Sequence, residues 1–407
     1  MSSRGEDHLI IYFSSISYDG IAAGTDRHLA DRLSCDHRVL YVDPPVSILA
    51  RLRNSNRRDM PRGPVLRPVR PGLFRCTPLL PPGPTRAGMH HVVPVIVRRT
   101  VRRAVRRLGG PVHAVVATTL DDVLGTVPGA RTLFYGTDDH VAGAETHGIP
   151  RERWSRAEQR QLRRADVIAA VSPALVERYA AYGRQAVLVP NGCDPAIHAD
   201  ASSMPWPADV TLSGPIAGLL GHIGRRVDLT MLEAVADAGC PLLLIGPWDR
   251  SYEPVRFPAL VARPNVCWVG PKHLTELPAY LRVIHVGLTP YADSDLNRSS
   301  FPLKTLEYIA AGAAVVSTNI PAVGWLDTEH VTIAHSPAEF ASAVRRQLTL
   351  PRSAALITHR RQFAEQHSWR KRAADLAWLL GIETPQRAGT PSSAKWSGPA
   401  SERGGRK

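Results

Sequence analysis

Short apolar runs alternate with amphipathic stretches along most of this chain. Leu9–Phe13, Arg38–Val42, Val112–Thr118, Thr132–Tyr135, Val167–Val171 and Ala186–Val189 read as strands buried on both faces. Between them, Thr25–Leu33, Arg151–Ala165 and Pro173–Tyr182 read as helices. This alternation predicts a parallel sheet covered on both sides. After a Pro/Ser/Asp-rich stretch at 199–214 the pattern restarts. Ile216–Leu220, Pro241–Ile245, Val266–Val269, Val286–Thr289 and Ala314–Ser317 are the expected strands of a second sheet. Asp228–Ala238, Pro302–Ala311, Ala338–Leu348 and Arg352–Leu380 are its expected helices. The tail from Glu383 is rich in Gly, Ser, Pro, Lys and Arg and is expected to be disordered. The predicted fold class is α/β, with two doubly wound halves joined near residue 200. Strand C-termini and helix N-termini then face a ligand crevice between them.

Charge changes this picture in one place. The 407 residues carry a formal net charge of +14. Residues 51–110 hold 15 Arg, no Lys and one acid, Asp59, so the rest of the chain is balanced. Within that segment Val97, Val101, Ala104, Val105 and Leu108 recur at helical spacing, with Arg98, Arg99, Arg102, Arg103, Arg106 and Arg107 between them. This is a basic amphipathic helix. Residues 59–84, before it, read as a long loop with a short strand near Gly72–Pro78. An anionic membrane surface is the partner such a segment suits. Nucleic acid is not expected, because Phe74 is the sole aromatic in the segment and stacking needs more. An Arg-rich nucleic-acid-binding protein is nevertheless the non-enzyme alternative.

No apolar run approaches the roughly 18–20 residues of a spanning helix, and the acid-containing N-terminus does not read as a signal peptide. The five cysteines are scattered, with no C-x-x-C spacing. Neither a disulfide framework nor a zinc site is expected, and a reducing cytoplasm is the implied compartment. His90-His91 and the other histidines show no ligand spacing and are read as structural, so no metal is expected.

Residues 297–319 concentrate the chemistry. Pro302 suits a first helical turn, and Ser299 or Ser300 an N-cap. The free N–H groups of a helix start there would receive a diphosphate. Lys304 adds a cation, and Glu307, three residues on, a carboxylate that can hold two ribose hydroxyls. The bland alternative is a plain ion pair. Asp138 and Asp139 follow a strand at the ligand edge of the first half, where a carboxylate can act as general base or simply cap a turn. Gly20, in the first strand–helix loop, allows a close ligand approach. Gly221 and Gly224 make only a loose glycine-spaced match to a dinucleotide fingerprint.

The segment resembles the donor-binding helix of the group 1 glycosyltransferases, which have the GT-B fold. Their pattern P-L-K-x-x-E-Y-x-A-A-G-x-P-V-V is matched by Pro302, Leu303, Lys304, Glu307, Tyr308, Ala310, Ala311, Gly312, Val315 and Val316. Arg164–Ser172, Val189–Asp194 with Asn191, Leu133–Asp139, Val39–Pro45 and Ser368–Leu380 resemble further family stretches in the same order, the last three in the bacterial cell-surface and exopolysaccharide subgroup. The chain also departs from the pattern. Ser299 stands where many members carry a glutamate that touches the sugar, and His222 and Val227 where they carry Arg and Lys. Arg225 and Arg226 are then the loop cations left for the diphosphate.

The resemblance implies an acceptor-binding domain at 1–198 and a nucleotide-sugar domain at 199–365, with a helix at 366–382 crossing back and a tail at 383–407. It implies a metal-independent hexosyl-type transferase, leaning to retention, with no cofactor and with a UDP-sugar or GDP-sugar as donor. The acceptor would be a hydroxyl, including that of a lipid-linked glycan or other cell-envelope precursor. Asp138, Asp139 and Lys304 are the expected catalytic residues. Glu307, Ser299, Ser300, Leu303, Arg225, Arg226, Gly221, Gly20 and Asn191 are the expected donor-contacting ones. The cytoplasmic side of the membrane is the implied place of work. A GT-B sugar-nucleotide epimerase is the enzyme alternative.

Overall fold

A computed structural model describes residues 8–19, 24–49, 65–82, 89–144, 148–198 and 204–382. Gly20, residues 50–64, residues 199–203 of the linker and the 383–407 tail fall outside these.

The first domain is built on β1 (Leu9–Phe13), β2 (Arg38–Val42), β3 (Val46–Ser47), β4 (Leu66–Arg70), β5 (Leu73–Cys76), β6 (Leu79–Leu80), β7 (Val112–Ala117), β8 (Arg131–Gly136), β9 (Val167–Ala170) and β10 (Val187–Leu188). Eight of them form one sheet in the order β10-β9-β8-β7-β1-β2-β5-β4, while β3 and β6 pair separately. The pairing is parallel throughout except at β4–β5. All of β1 is buried, as a strand covered on both faces requires.

The loop expected at 59–84 contains this β4–β5 hairpin. Its β5 is the short strand expected near Gly72–Pro78, whereas β4 goes undetected because Arg67, Pro68 and Arg70 interrupt the apolar pattern. Pro68 is tolerated because β4 is the sheet edge. Gly72 turns the hairpin at φ +79°, where a Cβ would meet the Ser34 carbonyl at 2.4 Å.

The basic helix is longer than its apolar stripe and runs Met89–Leu108 with Pro94 inside. Val97, Val101 and Ala104 are buried. Its arginines differ in role. Arg98 pairs with Asp122, and Arg102 Nε donates to the Thr126 carbonyl at 2.7 Å. Arg99, Arg103, Arg106 and Arg107 are exposed.

The second domain has the parallel sheet β13-β12-β11-β14-β15-β16, from β11 (Ile216–Leu220), β12 (Leu242–Ile245), β13 (Val266–Trp268), β14 (Ile284–Thr289), β15 (Ala314–Thr318) and β16 (Val331–Ala334). The helix expected at 352–380 is two, Ala354–Gln366 and Trp369–Leu379. The break is where the chain crosses between domains. Cys193 N–H donates to the His367 carbonyl at 3.0 Å, and Trp369 N–H to the Cys193 carbonyl at 2.9 Å. The two domain crossings therefore lie side by side. Beyond the break, Trp369 stacks on His28 of the Thr25–Leu33 helix at 4.9 Å, and Arg131 Nε caps the Leu379 carbonyl at 3.0 Å.

Candidate functional site

The helix at the heart of the predicted site spans Leu303–Ala310, one residue shorter at each end than expected. Pro302 occupies its N-cap position, with no side-chain cap bond. Neither serine caps it: Ser299 ends the preceding Asp295–Ser299 helix and Ser300 is that helix's C-cap. Two serines before a proline look like a cap, but a second short helix uses those residues first. The helix is seated by Tyr308. Its hydroxyl accepts from Leu220 N–H at 2.6 Å, and its ring fills the space a Cβ on Gly287 would occupy. Gly312 ends the helix at φ +81°.

On its outer face Lys304 Nζ lies 2.7 Å from Glu307 Oε2, both side chains partly buried. Leu303 is partly buried against the core. The first domain closes over this pair. Burial holds the His28 imidazole below its ordinary value, and Glu307 and Lys304 are among the charges it feels. Asn191 links the same edge, its Nδ2 donating to the Phe301 carbonyl at 3.0 Å and its Oδ1 accepting from Thr25 Oγ1 at 2.6 Å.

The donor-loop residues surround the C-terminal end of β11. Gly221 follows the strand directly, and Gly246, at the end of β12, approaches its carbonyl so closely that a Cβ there would be 1.9 Å away. Arg225 is exposed. Arg226 is fixed: its Nε donates to Asn297 Oδ1 at 2.9 Å and Nη2 to Ser300 Oγ at 2.8 Å. Buried Asn297 returns Nδ2 to the Arg226 carbonyl at 2.9 Å. Arg226 Nη1 then reaches Asp138 Oδ2 in the first domain at 3.4 Å.

The two aspartates have separate fates. Asp138 is half-exposed and lines a cleft of about 600 Å³ with Ser15, Thr119, Asp121, His140 and Trp154 among its walls. Asp139 is buried and turned inward. Burial alone would raise its pKa, but Arg178 at 2.5 Å, the Ala142 N–H at 2.8 Å and the Ser299 hydroxyl outweigh that and hold it below the usual carboxylate range. Its geometry is that of a turn cap and anchor. Arg178 also holds Glu158 at 2.7 Å. Burial pushes Glu158 up to about 7, the nearby Asp139 charge adding to the rise and Arg178 only partly offsetting it.

The structure thus gathers Asp138, Arg226 and Ser300 at one contact between the domains, and Lys304 and Glu307 on the helix with Asn191 bonded to Phe301 just before it. Sequence reasoning missed Asn297, His28, Arg178 and Glu158. A signal existed for Glu158: it shares a helical stripe with Trp154, Gln161 and Leu162. Among the described residues, Glu329, His330 and His359 could together hold a metal ion, their ligand atoms lying within 4.8 Å of one another. They come from a turn and a helix, a pairing no local spacing reveals.

Residues 225–349 match the family Glycosyl transferases group 1. A protein of Bacillus subtilis (strain 168), provisionally named as teichuronic acid biosynthesis glycosyltransferase TuaH, is 30% identical over 237 residues. That alignment covers 56% of this chain and 59% of the relative, so the chain spans less than two thirds of the relative's length. Sucrose-phosphate synthase from Thermosynechococcus elongatus superposes with a TM-score of 0.69 at 18% identity, over 92% of this chain and 98% of that one. Anabaena Alr3699/HepE in complex with UDP-glucose gives 0.62 at 14% identity, over 92% and 100%. The shared fold is GT-B, and within it residues 225–349 are similar to the group 1 glycosyltransferases.

Proposed function

We propose that this chain transfers a sugar from a nucleotide-diphosphate sugar to a hydroxyl acceptor in cell-envelope glycan synthesis. The observation that carries the reading is the Lys304–Glu307 pair early in the Leu303–Ala310 helix, with Arg226 of the second domain paired to Asp138 of the first. Glu307 would hold the ribose, and Lys304, Arg225 and Arg226 the diphosphate. Their charge, with the helix N-terminus, offsets the charge that grows on the leaving group, so no metal is needed for that role. The acceptor hydroxyl would enter from the Asp138 side. With retention, the donor phosphate takes the hydroxyl proton and Asp138 positions the acceptor.

The relative named for teichuronic acid synthesis supports an envelope glycan as product. A peripheral site on the cytoplasmic membrane face fits the first domain. Arg99, Arg103, Arg106 and Arg107 are exposed on one helix, and Val92 and Val95 are exposed on its first half. Among the described residues no helix is long and apolar enough to cross a membrane.

The deciding experiment is thermal stabilisation by a panel of UDP- and GDP-sugars, followed by product analysis with the stabilising donor. Stabilisation with transfer to an acceptor is expected. Interconversion of the free sugar nucleotide without an acceptor would instead make the protein an epimerase, and no stabilisation by any donor would remove the reading.

A further inference from the structure

Not all of the arginine excess faces outward. A cavity of about 880 Å³ opens at the N-terminal ends of β8 and β9, a strand's length from Asp138 beyond the other end of β8. Arg98 from the basic helix, Arg131, Arg164 and Asp166 line it, with Leu124 and Val127 as apolar wall. Two of the cations share one acid. Arg98 Nη2 lies 2.8 Å from Asp122 Oδ1, and Arg164 pairs with the same oxygen. Arg98 Nε is buried and donates to nothing among the described residues. Arg131 spends its Nε on the Leu379 carbonyl and has no acid partner among them. Asp166 is engaged by the Thr132 N–H and hydroxyl, each at 2.8 Å. Three guanidinium groups against two carboxylates leave a positive surplus inside a concave, partly apolar wall.

We infer that this cavity is a binding site for a phosphate group, carried by a lipid headgroup or by a free phosphate ester. Guanidinium forks match phosphate oxygens two at a time. The concave wall, apolar at Leu124 and Val127, keeps part of the water away and strengthens that pairing over what open water allows. Arg131, exposed and with no acid partner among the described residues, supplies guanidinium N–H groups without breaking an ion pair. Exposed Val95 lies one helical turn before Arg98, where an acyl chain attached to the phosphate would pass. The site is separate from the sugar-nucleotide cleft and does not depend on the reaction proposed for it.

The test is calorimetric titration of the full chain with inorganic phosphate and, separately, with dihexanoyl phosphatidylglycerol below its micelle concentration. The proteins compared are the wild type, Arg164→Gln, Arg98→Gln, the helix-face control Arg106→Gln and the cleft control Lys304→Ala. Saturable one-to-one binding is expected, weakened at least tenfold by Arg164→Gln and by Arg98→Gln and unchanged in both controls. Tighter binding of the lipid than of phosphate assigns the site to a headgroup; equal binding assigns it to phosphate esters in general. Arg164 is half-exposed, so its variant carries the test should Arg98→Gln fail to fold. Absence of saturable binding by either probe overturns the inference. So does binding that survives both arginine variants or is lost in Lys304→Ala.

Discussion

Arg226 of the second domain stands 3.4 Å from Asp138 of the first, and Ser300 Oγ lies within 2.9 Å of both side chains. The cation expected on the donor and the acid expected at the acceptor thus neutralise each other across the cleft. Both are about two-fifths exposed (42% and 40%), so the pair is worth ~0–1 kcal/mol. On the proposed reading a diphosphate would be the stronger partner and would displace Asp138 at small cost. Arg226→Gln should therefore weaken UDP or GDP binding by ~10-fold or more, the scale of a lost charge-assisted hydrogen bond. Calorimetry on the variant checks this. Unchanged affinity would make Arg226 only a strut between the domains.

Freed of Arg226, Asp138 can contact the acceptor. Under retention Asp138→Asn should leave measurable turnover and raise the acceptor KM more than it lowers kcat. NMR assignment of the product anomer should then show the donor's configuration kept. Abolished transfer together with an inverted product would make Asp138 the general base instead.

Lys304 and Glu307 already satisfy one another at 2.7 Å, so on the proposed reading each would meet its substrate group by giving up a partly buried ion pair. Glu307→Gln should weaken donor binding with a stability change below ~1 kcal/mol. Lys304→Ala should reduce kcat more than affinity, because charge grows on the leaving phosphate in the transition state. Donor titration beside steady-state kinetics separates the two. Unaltered kinetics in both variants would remove this helix from the donor site.

Most strands were legible because parallel strands buried on both faces are short apolar runs, and β1 begins and ends where the apolar pattern does. The Lys304–Glu307 segment was legible because its chemistry lies within one helical turn. What escaped is tertiary. Asn297 orients Arg226 from 71 positions away, and His28 meets Trp369 only because the chain crosses domains twice. The break at His367 is set by pairing with Cys193 and not by any helix breaker in the sequence. Ser299, expected at the sugar, bonds instead to Asp139, whose interior partner Arg178 comes from another helix.

That interior cluster carries a pH signature. Burial pushes Glu158 up to about 7, with Arg178 only partly offsetting it. Between the ordinary glutamate value near 4.5 and about 7 the native protein holds a proton that the unfolded chain has released. Stability from this residue therefore falls as pH rises through that window and levels off above it. The difference across the window is on the order of 3 kcal/mol. Glu158→Gln should remove this part of the slope, so that the variant gains Tm relative to wild type between pH 5 and about 7.5. Parallel melting curves for the two proteins across that range would mean that Glu158 is ionised throughout.

The outer face of the basic helix gives the last expectation. Arg102, though exposed, is tied to the Thr126 carbonyl and Arg98 to Asp122, which leaves Arg99, Arg103, Arg106 and Arg107 as the exposed arginines not engaged in this way among the described residues. Each Arg near an anionic leaflet contributes ~1 kcal/mol, screened beyond a Debye length of about 8–10 Å. Four of them, beside exposed Val92 and Val95, are enough for reversible attachment without a spanning segment. The protein should cosediment with phosphatidylglycerol vesicles, less so as salt rises, and little with phosphatidylcholine. Replacing all four by Gln should release it while donor binding stays intact, since none of the four lines the cleft. Equal sedimentation with both lipids, or with neither, would mean that this face is merely solvated and that the acceptor reaches the cleft from solution.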